Sequence, residues 1–202
     1  MVLVVDDDAT LRDALENLFR SIGVRAATFA SAAELLAHAF PDVPTCLLLD
    51  VRLRGQSGLD LQGRLSRMGV QIPIIFMTGY GDIPMTVAAM KAGAEDFLAK
   101  PFREQALLDA VTAALEKDRR RRHATQKLDE LHANYQSLTP RETEVMRLVV
   151  TGQLNKQIAG ELGISEITVK IHRGQAMRKM KARTFADLVL MAQQLGICHA
   201  QL

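Results

Sequence analysis

Through its first 117 residues the chain alternates strand-length apolar runs with segments whose apolar residues recur every three or four positions. The runs fall at residues 2–5, 24–29, 45–49, 72–77 and 96–98, the first four rich in aliphatic or β-branched side chains. Between them, Leu11, Leu15, Leu18 and Ile22, then Leu35, Leu36 and Ala39, then Leu59, Leu61, Leu65 and Met68, then Val87 and Met90 keep helical spacing. Leu107, Leu108, Val111 and Leu115 do so after the last run. A helix buries one stripe, whereas a strand covered on both faces is apolar throughout. Ser31 with Glu34 reads as a capping box, and Gly23, Gly69 and Gly93 stand just past predicted helix ends. Five strands alternating with five helices predict an α/β domain with a five-stranded, parallel, doubly wound sheet. In such a sheet the functional site lies at the carboxyl ends of the strands.

Residues 116–137 change character. Residues 116–123 are almost wholly charged, and Ala124, Leu128, Leu131 and Tyr135 then recur at helical spacing. This predicts a fifth helix running on into an exposed helical linker with one apolar seam. The consecutive arginines Arg119 to Arg122 read as a solvated helix surface, with contact to a DNA backbone as the alternative. From Leu138 the pattern is all helical. Thr139, Pro140 and Glu142 combine an N-cap, a proline at the first helical position and a reciprocal acid, a strong start signal. Helices are predicted near 140–150, 154–162, 166–181 and 185–195, with Gly163 breaking the second from the third and Ser165 and Thr184 capping the last two. The organisation is therefore a domain over 1–117, a helical linker over 118–137 and an all-α four-helix domain over 138–202.

Charge separates the halves. Residues 1–117 carry 11 Lys/Arg against 15 Asp/Glu, and residues 118–202 carry 14 against 8, within a formal net charge of +2. An acidic module followed by a basic one fits a cation-binding half ahead of a polyanion-binding half. No apolar run is long enough to span a bilayer, and the opening residues lack the pattern of a secretory signal, so a cytoplasmic protein is expected. Cys46 and Cys198 match no metal spacing and read as buried or inert thiols in a reducing compartment.

The chemistry gathers where apolar runs stop. The first strand ends in Asp6-Asp7-Asp8, the third in Asp50 and the fourth in Thr78, and Lys100-Pro101 follows the fifth. A single strand-end carboxylate is commonly a solvated loop residue. Several on one rim repel one another unless a cation sits among them, and an all-oxygen site suits Mg²⁺.

The stretches VLVVDDD, CLLLDVRLRGQSGLDL, IPIIFMTGYGD and MKAGAEDFLAKPF resemble the response-regulator receiver family over about residues 1–117, which implies a flavodoxin-like fold. The resemblance implies that Asp50 is phosphorylated. Mg²⁺ is then held by Asp7, Asp50 and the backbone carbonyl of Arg52, with Asp6 acting mainly through water. It further implies that Thr78 and Lys100 contact the phosphoryl group, that Phe97 is the aromatic switch residue following Thr78, and that the Lys100–Pro101 bond is cis. Asp8 is expected to be a solvated helix-entry residue. Arg54 replaces a frequent proline and is expected to point to solvent, the alternative being contact with the phosphoryl group.

The segment LTPRETEVMRLVVTGQLNKQIAGELGISEITVKIHRGQAMRKMKA resembles a LuxR-type helix-turn-helix domain across about residues 134–199, and the whole chain resembles FixJ-like transcriptional regulators. At about 100° per residue, Val169, Ala176 and Met180 define the buried face of the third helix. Ile167, Lys170, Ile171, Gly174 and Arg178 then lie opposite. Ile171 suits a thymine methyl and Lys170 suits guanine acceptors. Asn155, Lys156, His172, Arg173 and Lys179 flank this face as phosphate candidates, and Thr168 completes the set of expected DNA contacts. Gly174 is costly in a helix interior unless backbone approaches DNA there.

A phosphorylation-dependent transcriptional regulator follows, not an enzyme, with a sensor histidine kinase, promoter DNA and RNA polymerase as partners and no membrane. Phosphorylation is expected to promote homodimerisation through a surface that includes Met85, Val87, Ala88 and Lys91. An aspartate-nucleophile phosphatase needs a second acid two residues after its nucleophile, where this chain has Arg52. A metal hydrolase on Asp6 to Asp8 lacks any accompanying histidine pattern. A phosphotransfer module with a silent C-terminal half leaves Lys170 and Ile171 on an exposed face unexplained.

Overall fold

The computed structural model describes residues 1–54, 56–79, 87 and 89–197. They form two compact units, Met1–Arg122 and His123–Leu202. In the first, strands β1 (Val2–Val5), β2 (Ala26–Phe29), β3 (Cys46–Asp50), β4 (Ile74–Thr78) and β5 (Asp96–Ala99) build one sheet in the order β2-β1-β3-β4-β5. Every neighbouring pair is parallel. β2 begins later than its apolar run, while β3 and β4 extend to include Asp50 and Thr78 as their last residues.

The continuous apolarity of the strands has a direct structural cause. Alternate side chains enter two separate cores, as a period of two requires. Leu3, Val5, Leu47, Leu49 and Phe76 pack on one face with Leu35 of the helix Ala32–Ala37 and Leu61 and Leu65 of the helix Gly58–Arg67. Val2, Val4, Cys46, Leu48, Ile75 and Met77 pack on the other with Leu15 and Phe19 of the helix Ala9–Ser21. Leu107, Val111 and Ala114 of the long helix Glu104–Gln136 complete that side. Burial pushes the Cys46 thiol up to about 12, so it is inert at neutral pH. Cys198 lies outside the described residues.

Local stop signals mostly act as expected. Gly23, Gly69 and Gly93 all have positive φ. The Ser31 hydroxyl accepts the Glu34 N–H, but the Glu34 carboxylate accepts the N–H of Ala30 rather than that of Ser31, so the expected box is displaced by one residue.

The second unit packs the helices Pro140–Val150, Asn155–Leu162, Glu166–Lys179 and Phe185–Gln194 around Val145, Met146, Val149, Ile158, Val169, Ala176, Met180 and Leu188. Thr139 and Glu142 form the reciprocal capping box, with Pro140 at the first helical position. Gly163, at φ 65°, closes the second helix in the left-handed region, which lets the chain turn into the third. The expected helical linker is present and mostly exposed, and part of its apolar seam is buried. Residues 118–136 continue the long helix, but Leu131 is buried in this second core and Tyr135 packs against it, whereas Leu128 is exposed. Among the described residues no helix is long and apolar enough to cross a membrane.

Candidate functional site

Strand register brings the acidic residues together. Val5 is abreast of Leu49 and Thr78 of Ala99, so Asp6, Asp50, Thr78 and Lys100 leave the sheet along one rim. Asp6 is fully buried and Asp50 nearly so. Carboxylate oxygens of Asp6, Asp7 and Asp50 all lie within 4.8 Å of one another. The Lys100 ammonium donates to Asp6 Oδ2 and to Asp50 Oδ2, each at 2.6 Å. Asp6 Oδ1 accepts the Asp8 N–H at 2.9 Å and Asp50 Oδ1 accepts the Arg52 N–H at 2.9 Å.

The electrostatics follow from this crowding. Burial pushes the Asp6 carboxyl above the ordinary carboxylate range, even against the pull of Lys100. Burial would lower Lys100, but its bonds to Asp50 and Asp6 raise it. The ammonium is therefore firmly charged, and it offsets only part of the repulsion among three carboxylates. An oxygen-only donor set this compact fits a hard divalent cation such as Mg²⁺.

Thr78 is buried, and its carbonyl accepts the Lys100 N–H at 2.6 Å, which joins the ends of β4 and β5 beside the pocket. Phe97 sits half-buried on β5, opposite Phe76. The Lys100–Pro101 bond is cis, as expected. Asp8 caps the first helix, accepting the N–H groups of Thr10 and Leu11, and is exposed as expected. Arg54 is exposed, as expected, and also meets the acidic rim. Its guanidinium Nε donates to Asp7 Oδ2 at 2.8 Å while most of the side chain stays in solvent. A long flexible cation beside an acidic rim finds the nearest carboxylate rather than water alone.

Gly58 is a feature the sequence reading passed over. A Cβ on it would lie 2.4 Å from the backbone oxygen of Asp50 and 3.2 Å from Val51 Cα. Backbone cannot yield as a flexible side chain can, so only glycine lets the helix Gly58–Arg67 start beneath Asp50. Gly58→Ala should destabilise the first unit by about 1–3 kcal/mol, the cost of overpacking, and displace Asp50. The urea midpoint and the rate of phosphodonor labelling check it; an unchanged midpoint would contradict the close contact.

Of the expected pairing surface, Val87 and Lys91 are helical and exposed, and Ala89 between them is fully buried. Met85 and Ala88 lie outside the described residues.

In the second unit, Val169, Ala176 and Met180 are fully buried and Ile167, Lys170, Ile171, Gly174 and Arg178 are exposed, as the helix geometry predicts. Lys156 is exposed, and Asn155, Thr168 and His172 are half-buried. Ser165 caps the helix Glu166–Lys179 by accepting the Thr168 N–H. Arg173 donates to Asn155 Oδ1 at 3.4 Å and its guanidinium lies 5.3 Å above the Phe185 ring. Lys179 takes a different role from that expected. Its ammonium donates to Glu142 Oε2 at 2.6 Å and to the Ser137 carbonyl at 3.1 Å, tying the helix Glu166–Lys179 to the start of the helix Pro140–Val150.

Sequence reasoning also missed Asp118. Its carboxylate is fully buried and accepts the Thr45 N–H at 2.9 Å, Arg121 at 2.6 Å and Arg122 at 2.8 Å. Arg122 reaches on to Asp42 at 2.7 Å and to the Pro41 carbonyl. Arg121 and Arg122 are thus parts of a polar clamp on the chain entering β3, not members of a solvated row.

Residues 2–112 match the response regulator receiver domain, and residues 136–192 match the bacterial regulatory proteins of the luxR family. Nodulation protein W of Bradyrhizobium diazoefficiens is 58% identical over 197 residues, covering 98% of this chain and 87% of that protein. Transcriptional regulatory protein FixJ of Azorhizobium caulinodans is 40% identical over 199 residues, covering 98% and 94%. The solved structure of the response regulator StyR superposes with a TM-score of 0.89 at 50% identity, covering 96% of this chain and 98% of that one. The chain belongs to the two-component response regulators that join a receiver domain to a LuxR-type DNA-binding domain, and it is a transcription factor of that family.

Proposed function

We propose that Asp50 accepts a phosphoryl group from a sensor histidine kinase, and that the modified protein pairs and binds promoter DNA in the cytoplasm. The observation that carries this reading is the Asp50 carboxylate at the tip of β3, with Lys100 on one oxygen and two further acids beside it. Asp50 attacks phosphorus in line. The phosphorus–nitrogen bond to the donor histidine breaks, and an acyl phosphate forms. Lys100 pairs with a phosphoryl oxygen, and the Thr78 hydroxyl donates to another. Asp7, Asp50 and the Arg52 carbonyl would hold Mg²⁺, with Asp6 acting through water. When bound, the ion neutralises charge on the transferring oxygens. Cation binding at Asp7 competes with the Arg54 guanidinium.

Phosphorylation adds about −1.5 to −2 charge at Asp50. Movement of Thr78 towards that charge and of Phe97 behind it would reshape the neighbouring surface, to which the exposed Val87 and Lys91 belong. Pairing of receivers there raises the effective concentration of two DNA-binding domains, each covering one half-site. RNA polymerase is the expected partner at the promoter.

On DNA, Lys170 and Ile171 read bases, with Thr168, Gly174 and Arg178 on the same side. Lys156, Asn155, His172 and Arg173 face the phosphates. Lys170→Ala should cost about 1–3 kcal/mol at its own base pair and little elsewhere. Lys156→Ala should weaken all sequences alike and flatten the salt dependence. Titrations of both variants against specific and random duplexes check this; uniform losses in both would contradict the division.

A further inference from the structure

The recognition helix Glu166–Lys179 exposes two large aliphatic side chains. Ile167 is 70% exposed and Ile171 is 56% exposed. At about 100° per residue they lie about 40° apart on one stripe, and Gly174 continues it. A Cβ on Gly174 would meet nothing within 4 Å, so no packing inside the domain requires glycine there. The helix carries one acid, Glu166, against Lys170, Arg173, Arg178 and Lys179. Lys179 is tied to Glu142, and Arg173 lies off the stripe beside Asn155. Lys170 and Arg178 are exposed and border the aliphatic stripe.

A narrow aliphatic stripe edged by cations suits the major groove of duplex DNA. The phosphates attract its border, and among the four standard bases only thymine presents a methyl group in that groove. A protein partner for the same stripe would gain nothing from a cationic edge unless it were itself acidic. Both side chains are β-branched, so the helix already limits their rotamers and little freedom is lost on contact. Ile167 is the second residue of the helix, at the end that helix-turn-helix proteins direct at base edges. Residues four apart rise about 6 Å along a helix, close to two base-pair steps of about 3.4 Å each.

We propose that Ile167 and Ile171 together read the methyl groups of two thymines, so that the preferred half-site holds two A·T pairs within about two base pairs of each other. The inference rests on reading Glu166–Lys179 as the helix that enters the groove. Gly174 ends the apolar readout and leaves room for backbone to approach the DNA.

The test uses the full-length protein and duplexes selected by it from a random-sequence pool. Thymines of the selected half-site are replaced one at a time by uracil, which removes only the methyl group, and affinities are measured for wild type, Ile167→Ala and Ile171→Ala. At two positions uracil should weaken wild-type binding about three- to tenfold, the scale of one buried methyl contact. Each loss should vanish in the matching alanine variant. Uracil without effect at every position, or losses that add independently of the variants, would overturn the proposal. Alanine variants that keep both affinity and sequence preference would place the stripe against another partner and overturn it as well. Failure of the underlying reading looks different: wild type would enrich no sequence and show no salt-sensitive binding.

Discussion

Asp50→Asn should abolish acyl-phosphate formation. Intact-mass measurement after acetyl phosphate and Mg²⁺ should show one added phosphoryl group on the wild type and none on the variant. The amide is nearly the same shape and can still accept the Arg52 N–H that Asp50 Oδ1 now accepts at 2.9 Å. What it lacks is the anionic oxygen that forms the new bond, so the effect is a loss of chemistry rather than of fold. A control follows from the pocket's own repulsion. The Asp50 charge helps raise the Asp6 carboxyl, so its removal relieves a cluster of like charges. The variant should therefore fold at least about as well as the wild type in the absence of Mg²⁺. Undiminished labelling of Asp50→Asn would place the nucleophile elsewhere, and a globally unfolded variant would show that Asp50 serves the fold.

The second large effect is expected far from the pocket. Asp118→Ala should destabilise the first unit by about 2–4 kcal/mol, because it strands the buried Thr45 N–H and leaves Arg121 and Arg122 without their shared counter-charge. The figure sits towards the low end for broken buried pairs because both arginines keep partial access to water. Hydrogen exchange of the β3 amides, compared between wild type and variant, reads it directly. A pH dependence accompanies it. Burial alone would raise the Asp118 carboxyl, but Arg122, the Thr45 amide and Arg121 hold it below its ordinary value of 3.8. A folded-state value below the unfolded one contributes stability that is fully present above the unfolded value and is lost as pH falls through the folded one. The gap between wild type and variant should thus be full at neutral pH and close below about pH 4. An equal gap at all pH values would mean that Asp118 contributes by packing rather than by charge.

Why one of these residues was legible in the sequence and the other was not is a matter of context. Asp50 stands at the end of an apolar run, and Asp6, Asp7, Thr78 and Lys100 end other runs, so a parallel sheet alone suffices to bring them to one rim. The buried face of the recognition helix was equally readable, since Val169, Ala176 and Met180 follow from a single helical period. Asp118 sits inside a run of charged helical residues, and its deepest partner, Thr45, is 73 positions away. Nothing local marks it as buried. Lys179 was misjudged for the same reason, because its partner Glu142 is 37 positions distant and belongs to another helix. Gly58 carries no charge and no positive φ, and its role depends on the backbone oxygen of Asp50 passing directly behind it. The bond from Arg54 to Asp7 was not legible either, because Asp7 reads from the sequence only as a cation ligand. Periodicity reports which face of an element is buried, and it is silent on which distant group a buried polar atom will meet.

On this reading the charge state of Asp50 sets the association state of the protein and, through it, DNA affinity. Sedimentation of the full chain at tens of micromolar (a range suited to weak pairing), with and without beryllofluoride and Mg²⁺, tests it most directly when repeated with a selected two-half-site duplex. The protein should be a monomer without beryllofluoride and a dimer with it, and should bind the duplex more tightly only in the second case. A monomer under both conditions, with unchanged affinity for the duplex, would contradict it.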